Sequence, residues 1–299
     1  MGTPSPSLPI SGTRGLSVRA VLGVFKLRIG VAITVTALAG VAVSSGPSLS
    51  LTQLIVLTLA VLLSSASAGA FNQYYEHDID PLMSRTRSRA FVTGEVARRP
   101  LWLAVIGFLI VLSVGSAWIA LNAWSALYVF LGAFFYAVVY TVWLKRRTWL
   151  NIVFGGLAGS WAVLAGAAAS DPQVGAAPLA LALVLFLWTP PHFWSLAIAF
   201  RDDYTAARVP MLPVVVGDKR AGQTIFASTL ALVAATFLPA LAGLGAVYVA
   251  GAAIGGALFI RRAWMLARAP NRKTAMACFH ASLVQLTLVL TAAIMDARF

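Results

Sequence analysis

The sequence predicts an all-α polytopic membrane protein of about nine transmembrane helices, arranged as two pseudo-repeated four-helix halves around a central cavity, plus one extra helix. Three observations predict it. Sixty per cent of the 299 residues are hydrophobic and only 10% are charged, against roughly 25% charged in an average soluble domain. The apolar runs recur at the ~20-residue length that one bilayer crossing needs. Lys and Arg gather in alternate connections, as they do when one side of every hairpin stays with the cytoplasm.

Residues 1–20 lack acidic residues and carry Pro4, Pro6 and Pro9 but no continuous apolar stretch. They read as a flexible cytoplasmic N-terminus rather than a cleaved signal peptide, and the prolines spoil the amphipathic helix of a transit peptide. Residues 21–299 then read as a single transmembrane domain, since no polar stretch is long enough for a separate soluble one. Apolar runs and their breaks place the spans in order near 21–44, 51–75, 101–120, 123–143, 150–169, 178–200, 222–241, 243–262 and 274–295. Cys278, the single cysteine, lies inside the last run, which excludes an intramolecular disulfide and reads as packing.

Short connections at 46–50, 121–122, 170–175 and near Gly243 alternate with longer ones that hold almost every Lys and Arg. Only Arg298 falls on the other side, so the N-terminus and the connections after spans two, four, six and eight are expected to face the cytoplasm, with the C-terminus opposite, in a bacterial inner membrane. The net charge of +13 is thereby a feature of topology and of attraction to membrane lipid, and no nucleic-acid partner is expected.

Charge asymmetry does not explain the acids. Of nine Asp and Glu, seven (Glu76, Asp78, Asp80, Glu95, Asp202, Asp203 and Asp218) share the basic side. Asn72, Glu76 and Asp80 are spaced by four and would line one helix face, where stacked carboxylates repel unless a cation sits against them. Mg²⁺ suits such a site because it binds a few carboxylates together with substrate phosphate oxygens. Arg85, Arg87 and Arg89 follow at once, ready for bidentate phosphate contacts. A second cluster, Asp202-Asp203, ends span six as the first ends span two. That correspondence suggests parallel halves facing one cavity. Asp203, with Asp202, would supply a second metal, and Lys219, Arg220 and the run Lys145-Arg146-Arg147 would close over a diphosphate. Simple surface ion pairing is the bland alternative, but it needs no repeated spacing.

Four segments, NQYYEHDIDPLMSRTRSR, YTVWLKRRTWLNIVFGGLAGS, LWTPPHFWSLAI and DYTAARVPMLPVV, resemble in order the protoheme IX farnesyltransferase (heme O synthase) branch of the UbiA-type intramembrane prenyltransferases, from about Phe25 to Gly217. The superfamily's Asn-x3-Asp-x3-Asp signature falls on Asn72, Glu76 and Asp80, and Asp78 fits an acidic position particular to the heme-directed branch. Glu76 stands where Asp is usual, Ala90 where Pro is common, Trp161-Ala162 where Pro-Pro is usual, and Ala207 leaves the second Asp-x3-Asp motif incomplete. The resemblance implies transfer of farnesyl from farnesyl diphosphate to a vinyl group of heme b with addition of water. It implies Mg²⁺ held by Asn72, Glu76, Asp78, Asp80, Asp202 and Asp203, and a downstream heme A synthase or terminal oxidase assembly as partner.

His192, in Thr189-Pro190-Pro191-His192, lies inside a span that the prolines should kink. An ionisable group there is a functional candidate: to ligate iron, orient a propionate or position water; the alternative is a neutral histidine bonded between helices. His280 reads as structural, and His77 as facing solvent. Two other functions fit the hydropathy. A UbiA-type transferase acting on an aromatic or quinone precursor is disfavoured by the VPMLP and TPPHFW segments; a secondary transporter is disfavoured because its coupling residues sit near the midplane, not at span ends.

Overall fold

The computed structural model describes residues 17–297. Residues 1–16 of the predicted N-terminal segment, and Arg298, lie outside the described residues. Helices α1 (Val18–Val24) and α2 (Leu27–Ala42) form a bent pair, followed by α3 (Leu51–Tyr75) and a 3₁₀ turn, Asp80–Leu82. Next come the short α4 (Ala90–Thr93), then α5 (Leu101–Ala120) and α6 (Ala123–Phe134), which continues as a π-helix over Phe135–Leu144. The second half holds α7 (Asn151–Gly155), α8 (Leu157–Ser170), α9 (Ala176–Ala199), α10 (Arg201–Ala206) and α11 (Leu212–Val216). It ends with α12 (Asp218–Ala235), α13 (Leu238–Leu241), α14 (Ala246–Arg268) and α15 (Arg272–Asp296). Among the described residues eight helices are long and apolar enough to cross a membrane, and the α1–α2 pair makes a ninth. This is an integral membrane protein, with spans close to those read from the sequence.

One detail differs from that reading. The expected single span at 21–44 is broken at Phe25–Lys26 by a 48° bend. Lys26 sits in the left-handed region at φ 50°, a conformation that costs a non-glycine residue energy and persists only where its surroundings hold it. They do: Gln73 Nε2 donates to the carbonyls of Gly23 at 2.9 Å and Val24 at 3.0 Å, two acceptors that the broken helix leaves without an i+4 partner. α9 runs as one helix through Pro190 and Pro191.

The helices close into a ring. α2 packs on α3 and α8, α3 on α5, α5 on α6, and α6 on α8. α8 leads to α9, which packs on α12 and α15, while α14 lies against both α12 and α15, and α15 returns to α2. Side chains such as Phe108, Trp118 and Ile119 cover the outside, which suits hydrocarbon as solvent. Lipid offers no hydrophobic drive between helices, so close backbone approach must supply the packing. At the α2–α8 crossing Gly40 lies on the Val163 carbonyl and Gly166 on the Ala37 carbonyl, each so close that a methyl group would overlap the oxygen. This crossing fixes α8 as the wall shared by both halves. α3 and α9, the second long helices of each half, both end at the bundle's charged face with an acidic cluster behind them.

Candidate active site

A cavity of about 1420 Å³ enters from the charged face and runs into the ring between α2, α3, the π-helix, α8, α9 and α15. Its volume exceeds the ~300–1,000 Å³ of an ordinary small-molecule pocket, so it has room for two sizeable apolar reactants. Its charged end is lined by Asn72, Lys26, Arg85, Arg89 and Lys145, while Glu76 and Asp80 are buried behind it, paired with Lys145 and Arg89. α3 stops at Tyr75, Glu76 caps it, and the turn returns helically, with the Asp80 N–H donating to the Glu76 carbonyl at 2.9 Å. Asn72, Glu76 and Asp80 therefore stay together, all buried to 2% exposure or less.

Each has a basic partner. Lys145 pairs with Glu76 Oε1. Arg89 holds both Asp80 oxygens at 2.7 Å and lies 3.6 Å from Glu76 Oε2. Lys26 Nζ donates to Asn72 Oδ1 at 2.6 Å. Thr141 Oγ1 donates to the Tyr136 carbonyl at 2.8 Å and thus accepts from Asn72 Nδ2 at 3.0 Å, which fixes the amide with its oxygen toward the lysine. Burial disfavours the Glu76 carboxylate, but Lys145, Lys26 and Arg89 outweigh it and hold the group below the ordinary range. For Asp80 burial prevails over Arg89 and pushes the group up.

The π-helix accounts for much of this geometry. Its wider turn brings residues four and five apart onto one face, and Tyr136, Tyr140 and Lys145 all line the cavity. Sequence patterns do not single out Lys26, Tyr136, Tyr140, Thr141 and Gln73 as site residues. Lys26 alone leaves a signal there, a lysine inside an apolar span.

Other expected residues fall elsewhere. Arg85 lines the cavity with Arg89 and Lys145. Asp78 is turned to the opposite side of the turn, where Arg146 takes both its oxygens at 2.8 Å on a largely exposed surface, with the Arg146 hydrogen bonds holding the Asp78 carboxyl below its usual range. The structure does not bring Asp78 together with Glu76 and Asp80: the turn after Tyr75 carries it to the Arg146 side. Arg87, Arg146, Arg147, Lys219 and Arg220 do not line the cavity; they are exposed, and Arg147 bonds back to the Trp143 carbonyl. Asp202 is exposed on α10, whereas Asp203 is half-buried and accepts from Ser84 Oγ at 2.6 Å, which ties the second cluster to the loop of the first.

Among the described residues no three His, Cys, Asp or Glu side chains gather as a metal cage. The donor set fits a hard divalent ion shared with a substrate instead. Glu76 Oε2 is buried without a hydrogen-bond partner, and the remaining donors are carboxylate and amide oxygens.

Deeper in, His192 lines the cavity, 6% exposed, and stacks between Trp188 at 4.1 Å and Phe279 at 4.5 Å. His77 is exposed, and so is His280, on α15.

A polytopic bundle whose cavity joins an oxygen-rich, cation-lined mouth to an apolar interior defines a class, and the chain belongs to it: the UbiA prenyltransferase family, whose model matches residues 33–286. Among its relatives, protoheme IX farnesyltransferase 2 of Paramagnetospirillum magneticum is 53% identical over 280 residues, 94% of this chain and 97% of that one. The fold is shared with a UbiA homologue from Aeropyrum pernix (TM-score 0.74, 21% identity, 89% of this chain and 98% of that one). It is shared also with a UbiA homologue from Archaeoglobus fulgidus bound to GPP and Mg²⁺ (TM-score 0.66, 18% identity, 91% and 99%).

Proposed function

We propose that this chain transfers the farnesyl group of farnesyl diphosphate to a vinyl group of protoheme IX, with addition of water, giving heme O and diphosphate. The observation that carries the reading is 53% identity, across 94% of the chain, to a protein named for that activity. The cavity supports it. Its charged mouth suits a diphosphate, its aromatic and aliphatic interior a prenyl chain, and its volume a second large acceptor.

Asn72, Glu76 and Asp80 from the first cluster, with Asp203 at the rim, would hold Mg²⁺, and the Archaeoglobus homologue, solved with GPP and Mg²⁺, supports such a metal. When bound, Mg²⁺ supplies charge stabilisation to the departing diphosphate. The chain's own cations do the rest. Lys26 donates to the Asn72 oxygen, while Arg89 and Lys145 neutralise Asp80 and Glu76. These cations would pair with the phosphate oxygens of a bound diphosphate, and the carboxylates would then be available to hold the metal, with the buried charge still compensated. Arg85 closes from the mouth.

The allylic C–O bond then breaks with its electron pair leaving on the diphosphate, which the basic side chains stabilise. The Tyr136 and Tyr140 rings, beside the charged end, offer faces to the allylic cation. The surrounding apolar helices keep bulk water from capturing it. The terminal vinyl carbon attacks, leaving a cation next to the porphyrin; water adds there and loses a proton. The mouth would face the cytoplasmic side of the inner membrane, a reading that the distribution of Lys and Arg supports by the positive-inside rule.

The test is turnover by purified protein freed of metal with EDTA, then given Mg²⁺, farnesyl diphosphate and protoheme in ¹⁸O-labelled water. Heme O carrying label in its hydroxyl is expected, with no product before Mg²⁺ is restored. Prenylation of 4-hydroxybenzoate or a quinone precursor in preference to protoheme would overturn the assignment.

A further inference from the structure

His192 is tied to its neighbours by a short chain of hydrogen bonds whose polarity can be read from the atoms. Ser282 Oγ lies 2.6 Å from the Phe279 carbonyl and 2.6 Å from His192 Nδ1. A carbonyl only accepts, so the single hydroxyl proton of Ser282 goes to Phe279. The serine oxygen must then accept from His192, and the proton on the imidazole resides on Nδ1. Nε2 is left unprotonated, with an in-plane lone pair.

The aromatic packing decides what that lone pair can meet. Trp188 and Phe279 stack on the two faces of the imidazole, at interplanar angles of 21° and 27°, and Phe193 abuts it edge-on at 4.9 Å. Trp188 is itself fixed, donating from Nε1 to the Ser282 carbonyl at 2.9 Å. Both faces and Nδ1 are thus covered, which leaves the edge bearing Nε2 as the side of the ring available to the cavity that His192 lines. One turn earlier on α9, Thr189 abuts Gly156 so closely that a Cβ there would come within 2.8 Å of the Thr189 Cβ. Gly155, Gly156 and Gly159 line the same cavity, with Tyr140 packed on Gly155 and Thr189 on Gly156.

We propose that His192 Nε2 is the axial ligand to the iron of the porphyrin substrate. The proposal rests on the heme-directed reading above and deepens it, because it states how the acceptor is held. A neutral imidazole oriented by a hydrogen bond at its other nitrogen is how proteins commonly present histidine to a metal. Ser282 is then a positioning residue, and ligation fixes the height of the macrocycle in the cavity, and with it the depth at which a vinyl group meets the prenyl carbon.

The experiment is titration of the purified full chain with heme, reduced with dithionite and read by visible absorption and by resonance Raman in the iron–histidine stretching region. Wild-type protein is expected to show a histidine-ligated iron. His192→Ala should lose that signature and weaken heme binding at least about tenfold, and free imidazole should restore the signature. His192→Met, which keeps the bulk, should give a thioether-type spectrum in its place. Ser282→Ala should retain ligation but weaken heme binding by about 10- to 100-fold, the usual effect of losing such an orienting partner. An unchanged spectrum in either His192 variant overturns the ligand assignment while leaving heme as the acceptor. Wild-type protein that binds no heme, yet prenylates another acceptor, overturns both this proposal and the function on which it rests.

Discussion

The two acidic clusters look like repeats of one device in the sequence, yet the protein buries one and leaves the other at the rim. Glu76 and Asp80 are fully enclosed and each is paired with a buried or half-buried cation, whereas Asp202 is exposed and Asp203 meets only the Ser84 hydroxyl. The difference lies in the path of the chain beyond each helix. After α3 the chain turns back under the bundle and brings Arg89 with it, and the π-helix delivers Lys145 from the opposite side. After α9 a short helix, α10, carries its acids along the surface. The first cluster is therefore bound up with stability as well as with its proposed chemistry, while the second could serve the proposed chemistry alone.

The largest effect expected from this contrast is at the buried pair. Lys145→Ala or Glu76→Ala leaves one charge enclosed without its partner, which should cost about 3–5 kcal/mol in thermal or denaturant unfolding and abolish turnover. The double replacement Lys145→Met with Glu76→Leu should recover most of the stability and none of the activity. A double variant as unstable as the single ones would break the claim that the loss comes from unpaired charge.

Asp203→Ala sharpens the contrast from the other side. As a proposed ligand at the rim it should lose turnover, but with stability changed by no more than about 1 kcal/mol, since its partner is a surface hydroxyl. Asp203→Ala with normal turnover would remove the second cluster from the mechanism. The smallest effect is expected for Asp78→Ala and Arg146→Ala. That pair is 47% and 34% exposed and stands outside the cavity, so each change should cost about 0–1 kcal/mol and leave turnover near normal.

How far the sequence carries depends on which regularity a residue obeys. The spans are legible because a bilayer imposes a length and charge imposes an orientation. Asn72, Glu76 and Asp80 are legible because spacing by four survives the end of α3 through one more helical turn. Asp78 shares the segment but not the phase, so its acidity misleads. Lys219 and Arg220 lie near Asp203 in sequence, but they project from the start of α12 to solvent. Tyr136 and Tyr140 escape notice because the segment reads as an ordinary apolar helix, and nothing in a 3.6-residue period announces a π-helix. Lys26 reads as one more topology charge; its role depends on a helix break and on Gln73, which lies on another helix. His192 is visible as an ionisable group within a span, but the tautomer that gives it a role requires Ser282, ninety residues away.

The proposed metal site implies a coupling between metal and diphosphate, because Lys26, Arg89 and Lys145 pair with the oxygens that a metal would take. Its most direct test is Mn²⁺ binding, followed by electron paramagnetic resonance on purified wild-type protein with and without inorganic pyrophosphate. If pyrophosphate draws Lys26, Arg89 and Lys145 off their oxygens, the apparent Mn²⁺ affinity should rise at least about tenfold in its presence, a coupling of about 1.4 kcal/mol. By reciprocity, Mn²⁺ should tighten pyrophosphate binding by the same factor. Equal Mn²⁺ affinity with and without pyrophosphate, at a site lost in Asp80→Ala, would contradict the account.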